Sequence, residues 1–312
     1  VITRYGYART CRGVEIVEAA HPVPDAAGVA GTRRMLDLLA GLGADDFVLA
    51  LISGGGSALL CAPADGITLD EKQALTRDLL ASGAPIGDIN GIRKQISAVK
   101  GGRLAAAAYP ASMLALMISD VPGDRPGDIA SGPTVGHGGD ADRALQSLAH
   151  WGVTPAPSIR HFLENGGDPI GAKDRRLSRV ENRVVAAPMQ SLDTAARLAQ
   201  EAGYAVDILG DAIEGEARRI AADHAKRAMM AAGPRVILSG GELTVARKGD
   251  GVGGPNAEYA LALALALDGA KGIHAIACDT DGVDGAAEVA GARIGPGTLG
   301  GARNLGVDPA AS

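Results

Sequence analysis

Aromatic side chains are scarce: two phenylalanines, five tyrosines and one tryptophan in 312 residues. With no basic stripe interleaved with aromatics, nucleic acid is excluded as a partner. Cysteine is scarce too. Cys11, Cys61 and Cys278 lie far apart, so neither a disulfide framework nor a zinc spacing exists, and a reducing cytoplasm is expected. Each of the three is expected to be a small buried hydrophobe. Long hydrophobic runs are missing: the stretch from Ala257 to Leu267 is too short to cross a bilayer, and no signal peptide is seen, so no membrane partner is expected. Neither sign of charge dominates, with 30 Lys and Arg against 36 Asp and Glu, net −6. An anionic substrate must therefore be held by local cations and amides. No G-x-x-x-x-G-K-[ST] occurs, which excludes a Walker-type nucleotide loop. The chain begins without Met inside an apparent strand and stops at Ser312 without a closing element, so it reads as a fragment.

What is abundant is glycine, whose 45 residues are about twice ordinary usage. Few aromatics with much Ala, Leu and Val describe helices packed closely on a parallel sheet, and the length favours two α/β domains. The central stretch is Phe47-Val48-Leu49-Ala50-Leu51-Ile52 followed by Ser53-Gly54-Gly55-Gly56-Ser57. The apolar run predicts a strand buried on both faces. The glycines that follow either form a tight turn or let amides face an anion, with the two serines adding hydroxyls.

Upstream, His21-Pro22-Val23-Pro24-Asp25 is a stiff extended loop before a helix over 26–42. His21 in it is either structural or turned to substrate. Thr68-Leu69-Asp70-Glu71 is a capping box that starts a helix to about Ser82, with Gly83 beyond its end. A helix is expected over 88–100. It would align Arg93, Ser97 and Lys100 as either a solvated basic face or a cationic wall for an anion. The strand 113–118 delivers Ser119-Asp120-Val121-Pro122-Gly123-Asp124 to the same sheet rim as the glycine loop. Asp120 and Asp124 there suit Mg²⁺, proton abstraction or plain Asx turns.

The texture turns polar and irregular from His137 to Arg179, so the domains are placed at 1–178 and 179–312. The expected fold class is α/β: a Rossmann-like parallel sheet first, a smaller mixed α/β sheet second, and a cleft between them. In the second half a strand is expected over 180–187, a helix capped by Ser191, and a long amphipathic helix over 213–232. Ser239-Gly240-Gly241-Glu242 echoes the first glycine loop. Gly254, Asn256 and Glu258 open an apolar helix, with Asn256 either an N-cap or a ligand contact. Asp279, Asp281 and Asp284 form an acidic loop fit for a hard cation, though without the terminal Glu of an EF-hand.

These blocks, in this order from His21 to Asp281-Gly282-Val283-Asp284-Gly285, resemble the class II glycerate kinases that end in a MOFRL domain. The matching set includes Arg93-Lys94, Lys100-Gly101-Gly102, Ser131-Gly132-Pro133-Thr134 and Gly253-Gly254-Pro255-Asn256-Ala257-Glu258. The resemblance implies ATP-dependent phosphorylation of D-glycerate to 2-phosphoglycerate, with ATP and Mg²⁺ required, by a monomer or homodimer. It implies Lys100, Asp120 and Arg93 as catalytic residues and Ser53, Gly54, Gly55, Gly56, Ser57 and His21 around substrate. Gly240, Gly241, Glu242, Gly254, Asn256 and Glu258 would meet the nucleotide, and Asp281, Asp284 and Asp124 the metal. The family's Gly-Ala-Gly-Lys motif is not among these residues, and Pro255 and Ala257 stand where many relatives carry Arg and Gln. The alternative is an NAD(P)H-dependent hydroxypyruvate reductase, because Gly249, Gly251 and Gly254 match G-x-G-x-x-G with Asp279 about 25 residues on.

Overall fold

Thr68 starts its helix by the reciprocal bonds its sequence predicts. In the computed structural model the Glu71 amide donates to Thr68 Oγ1 at 3.2 Å, and the Thr68 amide donates to the Glu71 carboxylate at 2.7 Å. Gly83, at φ +77°, follows the helix end. Thr68→Ala should lower the stability of this region by about 1 kcal/mol. Urea denaturation should show it as a shifted midpoint with an unchanged m-value.

The structure describes all residues except Pro22, Pro122, Gly139, 168–169, 246–251, Asp281, Ala286 and Ser312. Two compact units result, Val1–Ala187 and Pro188–Ser312. The first runs β1 (Ile2–Arg4), β2 (Val17–Ala19), α1 (Ala26–Ala40), β3 (Phe47–Ile52), α2 (Gly56–Leu59), α3 (Leu69–Ala81), α4 (Ile86–Gln95), α5 (Arg103–Ala108), β4 (Ser112–Ile118), α6 (Ala141–His150), α7 (Pro157–Glu164) and β5 (Val180–Ala186). Strands β3, β4 and β5 form a parallel sheet in that order, and β1 and β2 form a separate parallel pair.

Three expectations change here. β5 pairs with β4, from Met113 opposite Val180 onward, so it belongs to the first unit and the division falls at 187/188 rather than 178/179. β3 is not buried on both faces: Val48, Ala50 and Ile52 point inward while Leu49 and Leu51 are 53% and 73% exposed. The predicted 88–100 helix ends at Gln95. Beyond it Ser97 Oγ accepts from the amides of Val99 and Lys100, and Ala98 N donates to Ala62 O, drawing the chain out of the helix into a turn.

Helix α4 itself is made by packing. Gly87 and Gly91 each cost it roughly 1 kcal/mol. Burying Ile89, Ile92 and the following Ile96 contributes roughly 1.5–3 kcal/mol apiece, so packing wins. These side chains join Leu75, Leu79, Leu148, Ile159 and Leu163 in a core shared by α3, α4, α6 and α7. A second core sets Val99, Leu104, Ala105 and Ala108 on Met113 of the sheet. The turn 97–102 is thereby fixed between the helical layer and the sheet.

The second unit runs α8 (Pro188–Glu201), β6 (Ala205–Ile208), β7 (Ile213–Glu216), α9 (Ala217–Met230), β8 (Arg235–Leu238), β9 (Gly241–Thr244), α10 (Pro255–Leu267), β10 (Ala275–Cys278), β11 (Gly291–Ile294) and α11 (Thr298–Asn304). Pairs β6–β8 and β7–β9 are parallel and β10–β11 is antiparallel, a mixed arrangement in which β10 and β11 share a core with α9, α10 and α11. The expected 213–232 helix begins only at Ala217, because Ile213 to Glu216 pair with β9 instead. Ser191 lies inside α8, not at its cap. Cys61 is buried as expected, whereas Cys11 and Cys278 are exposed. Among the described residues no helix is long and apolar enough to cross a membrane.

Candidate active site

The loop after β3 is the point on which the first unit's polar groups converge. Asp120, leaving β4, lies against Gly54 so closely that a Cβ there would overlap its Oδ2. His21 packs on Gly55, itself at φ +80°, with ring atoms 3.4 Å from where a side chain would begin. Ala130 Cβ would be 2.6 Å from a Cβ on Gly56. Ser57 Oγ and Ser131 Oγ are hydrogen-bonded at 2.8 Å. Arg93 Nη2 donates to Ser57 O at 3.3 Å, and Lys100 Nζ reaches Gly56 O at 3.5 Å and Ala130 O at 3.4 Å. The loop thus has a carboxylate and an imidazole at one end and two cations at the other.

Electrostatics follow from covering these groups. The side of Asp120 pressed into the protein loses water, which raises its pKa, partly opposed by its own backbone amide and by His21. Loss of water, with Arg4 nearby, lowers His21, and Asp120 works against this. Lys100 is completely buried, and desolvation followed by the charges of Lys72 and Arg93 pushes its pKa well below the ordinary 10.5. A solvated basic face is thereby excluded for Lys100. Arg93 is also lowered by burial, yet arginine stays charged at any ordinary pH.

The turn that abuts the loop is strained. Ala130 and Ser131 have φ of 52° and 64°, a left-handed conformation costing roughly 1–3 kcal/mol for each such residue. Amides of Gly101 and Gly102 hold it by donating to Ser131 O and Gly132 O at 3.2 and 2.8 Å. The same pairing locks the backbone that carries Lys100.

The second unit treats its expected site residues differently. Gly241 opens β9, where a Cβ would collide with the Ile213 backbone, and Gly240 exchanges backbone bonds with Gly210 and Ile213. Ser239 and Gly240 thus form a short, backbone-bonded link between β8 and β9, and only Gly241 is in a strand; Glu242 is exposed beside it. Asp284 is fully buried. Its Oδ1 accepts from Asn256 N at 2.9 Å and Asn256 Nδ2 at 3.2 Å, and its Oδ2 from Ala257 N at 2.7 Å. Asp284 therefore satisfies the start of α10, and Gly254, not Asn256, is the N-cap. Gly254 has no room for a side chain because the Asp284 carboxyl fills it. Glu258 is paired with Arg218. Asp281, Gly249 and Gly251 lie outside the described residues, as does Pro22. Among the described residues no three His, Cys, Asp or Glu side chains cluster to hold a metal, although Asp124 has a buried Oδ1 without a partner.

The family described as "Domain of unknown function (DUF4147)" matches residues 1–164, and the MOFRL family matches 235–312. A D-glycerate 2-kinase of Thermotoga maritima is 38% identical, over 99% of this chain and 75% of that protein. The chain belongs to the class II glycerate kinase family. A crystal structure of a glycerate kinase from the same organism matches it with a TM-score of 0.88 at 37% identity, covering 99% of this chain and 75% of that one. A protein of Agrobacterium vitis, 46% identical over 99% of this chain and 82% of its own length, is named a hydroxypyruvate reductase, with the name qualified as provisional. The glycerate kinase family's motifs find the loop and its neighbours. They give no role to Lys72, which is 2% exposed, or to Ser131, although a polar residue in a left-handed turn beside a glycine loop is a readable signal for the latter.

Proposed function

We propose that this protein transfers the γ-phosphoryl group of ATP to the 2-hydroxyl of D-glycerate. The observation that carries the reading is the loop 53–57, with Asp120 and His21 against one end and Arg93 and Lys100 against the other. Kinship with a D-glycerate 2-kinase supports it. The substrate oxygen attacks phosphorus, the bond from phosphorus to the β–γ bridging oxygen breaks, ADP leaves, and Asp120 takes the hydroxyl proton. Partial burial raises the pKa of Asp120, which suits a proton acceptor. Little covalent work is asked of the protein; positioning and neutralisation of charge do the rest. Lys100 and Arg93 bring positive charge to the other end of the loop, where an anionic group of the substrate would sit.

Mg²⁺ would arrive with the nucleotide and supply charge neutralisation on its phosphates. Asp124, with its unpartnered buried oxygen, fits a role in holding it. An ATP-consuming reaction of this kind belongs in the cytoplasm.

The reductase alternative has a motif and a relative's provisional name behind it. Its third glycine, Gly254, is packed against Asp284, however, and so is accounted for without a dinucleotide. Mg·ATP with D-glycerate should release ADP, with 2-phosphoglycerate identified by phosphorus NMR. NADH oxidation with hydroxypyruvate in the absence of ADP release would overturn the kinase reading.

A further inference from the structure

Lys72 is an anomaly of this molecule. It lies in the first turns of α3, where the helix dipole disfavours a cation, and a lysine on a helix ordinarily extends its ammonium into water. Instead it is 2% exposed, and among the described residues its Nζ has no oxygen acceptor, only the Cys61 thiol beside it. Its charge acts on both Arg93 and Lys100. Arg93 Nε is likewise buried without a partner, and the Lys100 contacts at 3.4 and 3.5 Å are long for charge-assisted bonds. No carboxylate among the described residues forms an ion pair with any of the three.

We propose that Lys72 completes, with Arg93 and Lys100, the subsite that binds the carboxylate of the hydroxy-acid substrate. This rests on the phosphotransferase reading above. Three desolvated cations with unused donors call for an acceptor-only group, and a carboxylate offers two oxygens with about four lone-pair sites. The nucleotide is the poorer occupant. Its phosphates bring a divalent cation, which three buried like charges and no carboxylate would repel. Spacing agrees: Lys100 engages Gly56 and Asp120 lies on Gly54, two residues along the loop. A carboxylate held at the cationic end leaves the hydroxyl on the adjacent carbon turned toward Asp120.

Lys72→Met tests this, because it keeps the volume and removes the charge. The KM for D-glycerate should rise roughly 10- to 100-fold, the loss of one charged hydrogen bond. The KM for ATP should stay within twofold, and preference for glycerate over uncharged glyceraldehyde should shrink by a similar factor. The melting temperature should hold or rise, since an unpaired buried ammonium is gone. Calorimetric titration with D-glycerate alone should show the same loss of binding, and Lys72→Arg should recover part of it. A rise confined to the KM for ATP would overturn the carboxylate assignment, and so would unchanged glycerate affinity, with or without a lower melting temperature. Were the unmutated protein to release no ADP, the kinase reading would fail on its own. The calorimetric comparison would still decide whether Lys72 binds the carboxylate.

Discussion

Lys100→Met is expected to reduce kcat/KM for D-glycerate by about two orders of magnitude, the scale of a lost charge-assisted hydrogen bond to the substrate carboxylate. The same change should leave the protein as stable as before, or more so. The ammonium is wholly buried, and among the described residues it is paired with no carboxylate and its hydrogen bonds go to two backbone carbonyls at long range. Methionine fills its volume without the desolvation penalty. The groups facing it (Cys61, Lys72, Arg93 and Lys94) give the sign of its pH dependence. Burial and the three cations lower the folded pKa, and the thiol opposes them only in part. The unfolded chain therefore binds the proton more readily, and wild-type stability climbs as pH rises from the depressed folded value toward 10.5. The stability gained by Lys100→Met should be largest at low pH and fade as pH approaches 10.5. Thermal melts of both proteins across that range measure it; a melting temperature lowered at every pH would show that the lysine supports the fold instead.

Gly54→Ala is the second large effect, and it should separate activity from stability even more cleanly. The new methyl overlaps the free end of the Asp120 side chain, which can swing aside at little energetic cost. Melting should therefore shift by no more than the few degrees expected of roughly 1 kcal/mol. The carboxylate, however, is displaced from the substrate hydroxyl. A misplacement of about 1 Å costs on the order of 100-fold in rate, so kcat should fall by that factor. Gly56→Ala makes a useful contrast, because its methyl meets Ala130 at 2.6 Å in a turn that cannot yield without releasing the backbone around Lys100. Equal kcat for wild type and Gly54→Ala would remove Asp120 from the chemistry.

What the sequence discloses depends on whether the deciding partner is near in the chain. Thr68 and Glu71 are three residues apart, and the helix they start is legible to within a residue at each end. Strand β3 is legible because six apolar residues precede a glycine run. Its open face is not, because exposure depends on what packs from elsewhere. The end of α4 escapes prediction because Ser97 and Ala98 are captured by the backbone near Ala62, a partner 35 residues away. Residues 213–216 have helical periodicity and become β7 only because β9 is there to pair with them. The candidate site shows the same division. His21, the glycine loop, Asp120 and Lys100 sit in recognisable motifs, whereas Lys72 looks like any lysine on a polar helix until its burial is seen. In the last acidic loop the partners of Asp284 are equally hidden from the sequence. The loop's composition suits a cation; Asp284 is committed to amides that only the folded chain brings to it.

That commitment sets an order of events during synthesis. Helix α10 receives its capping carboxylate from a residue 28 positions downstream of Asn256, with no local side chain serving at Gly254. A ribosome that has just released α10 has made a greasy segment whose first amides are still unsatisfied. That cap is missing until Asp284 emerges, so truncations anywhere before that position leave the helix without its anchor.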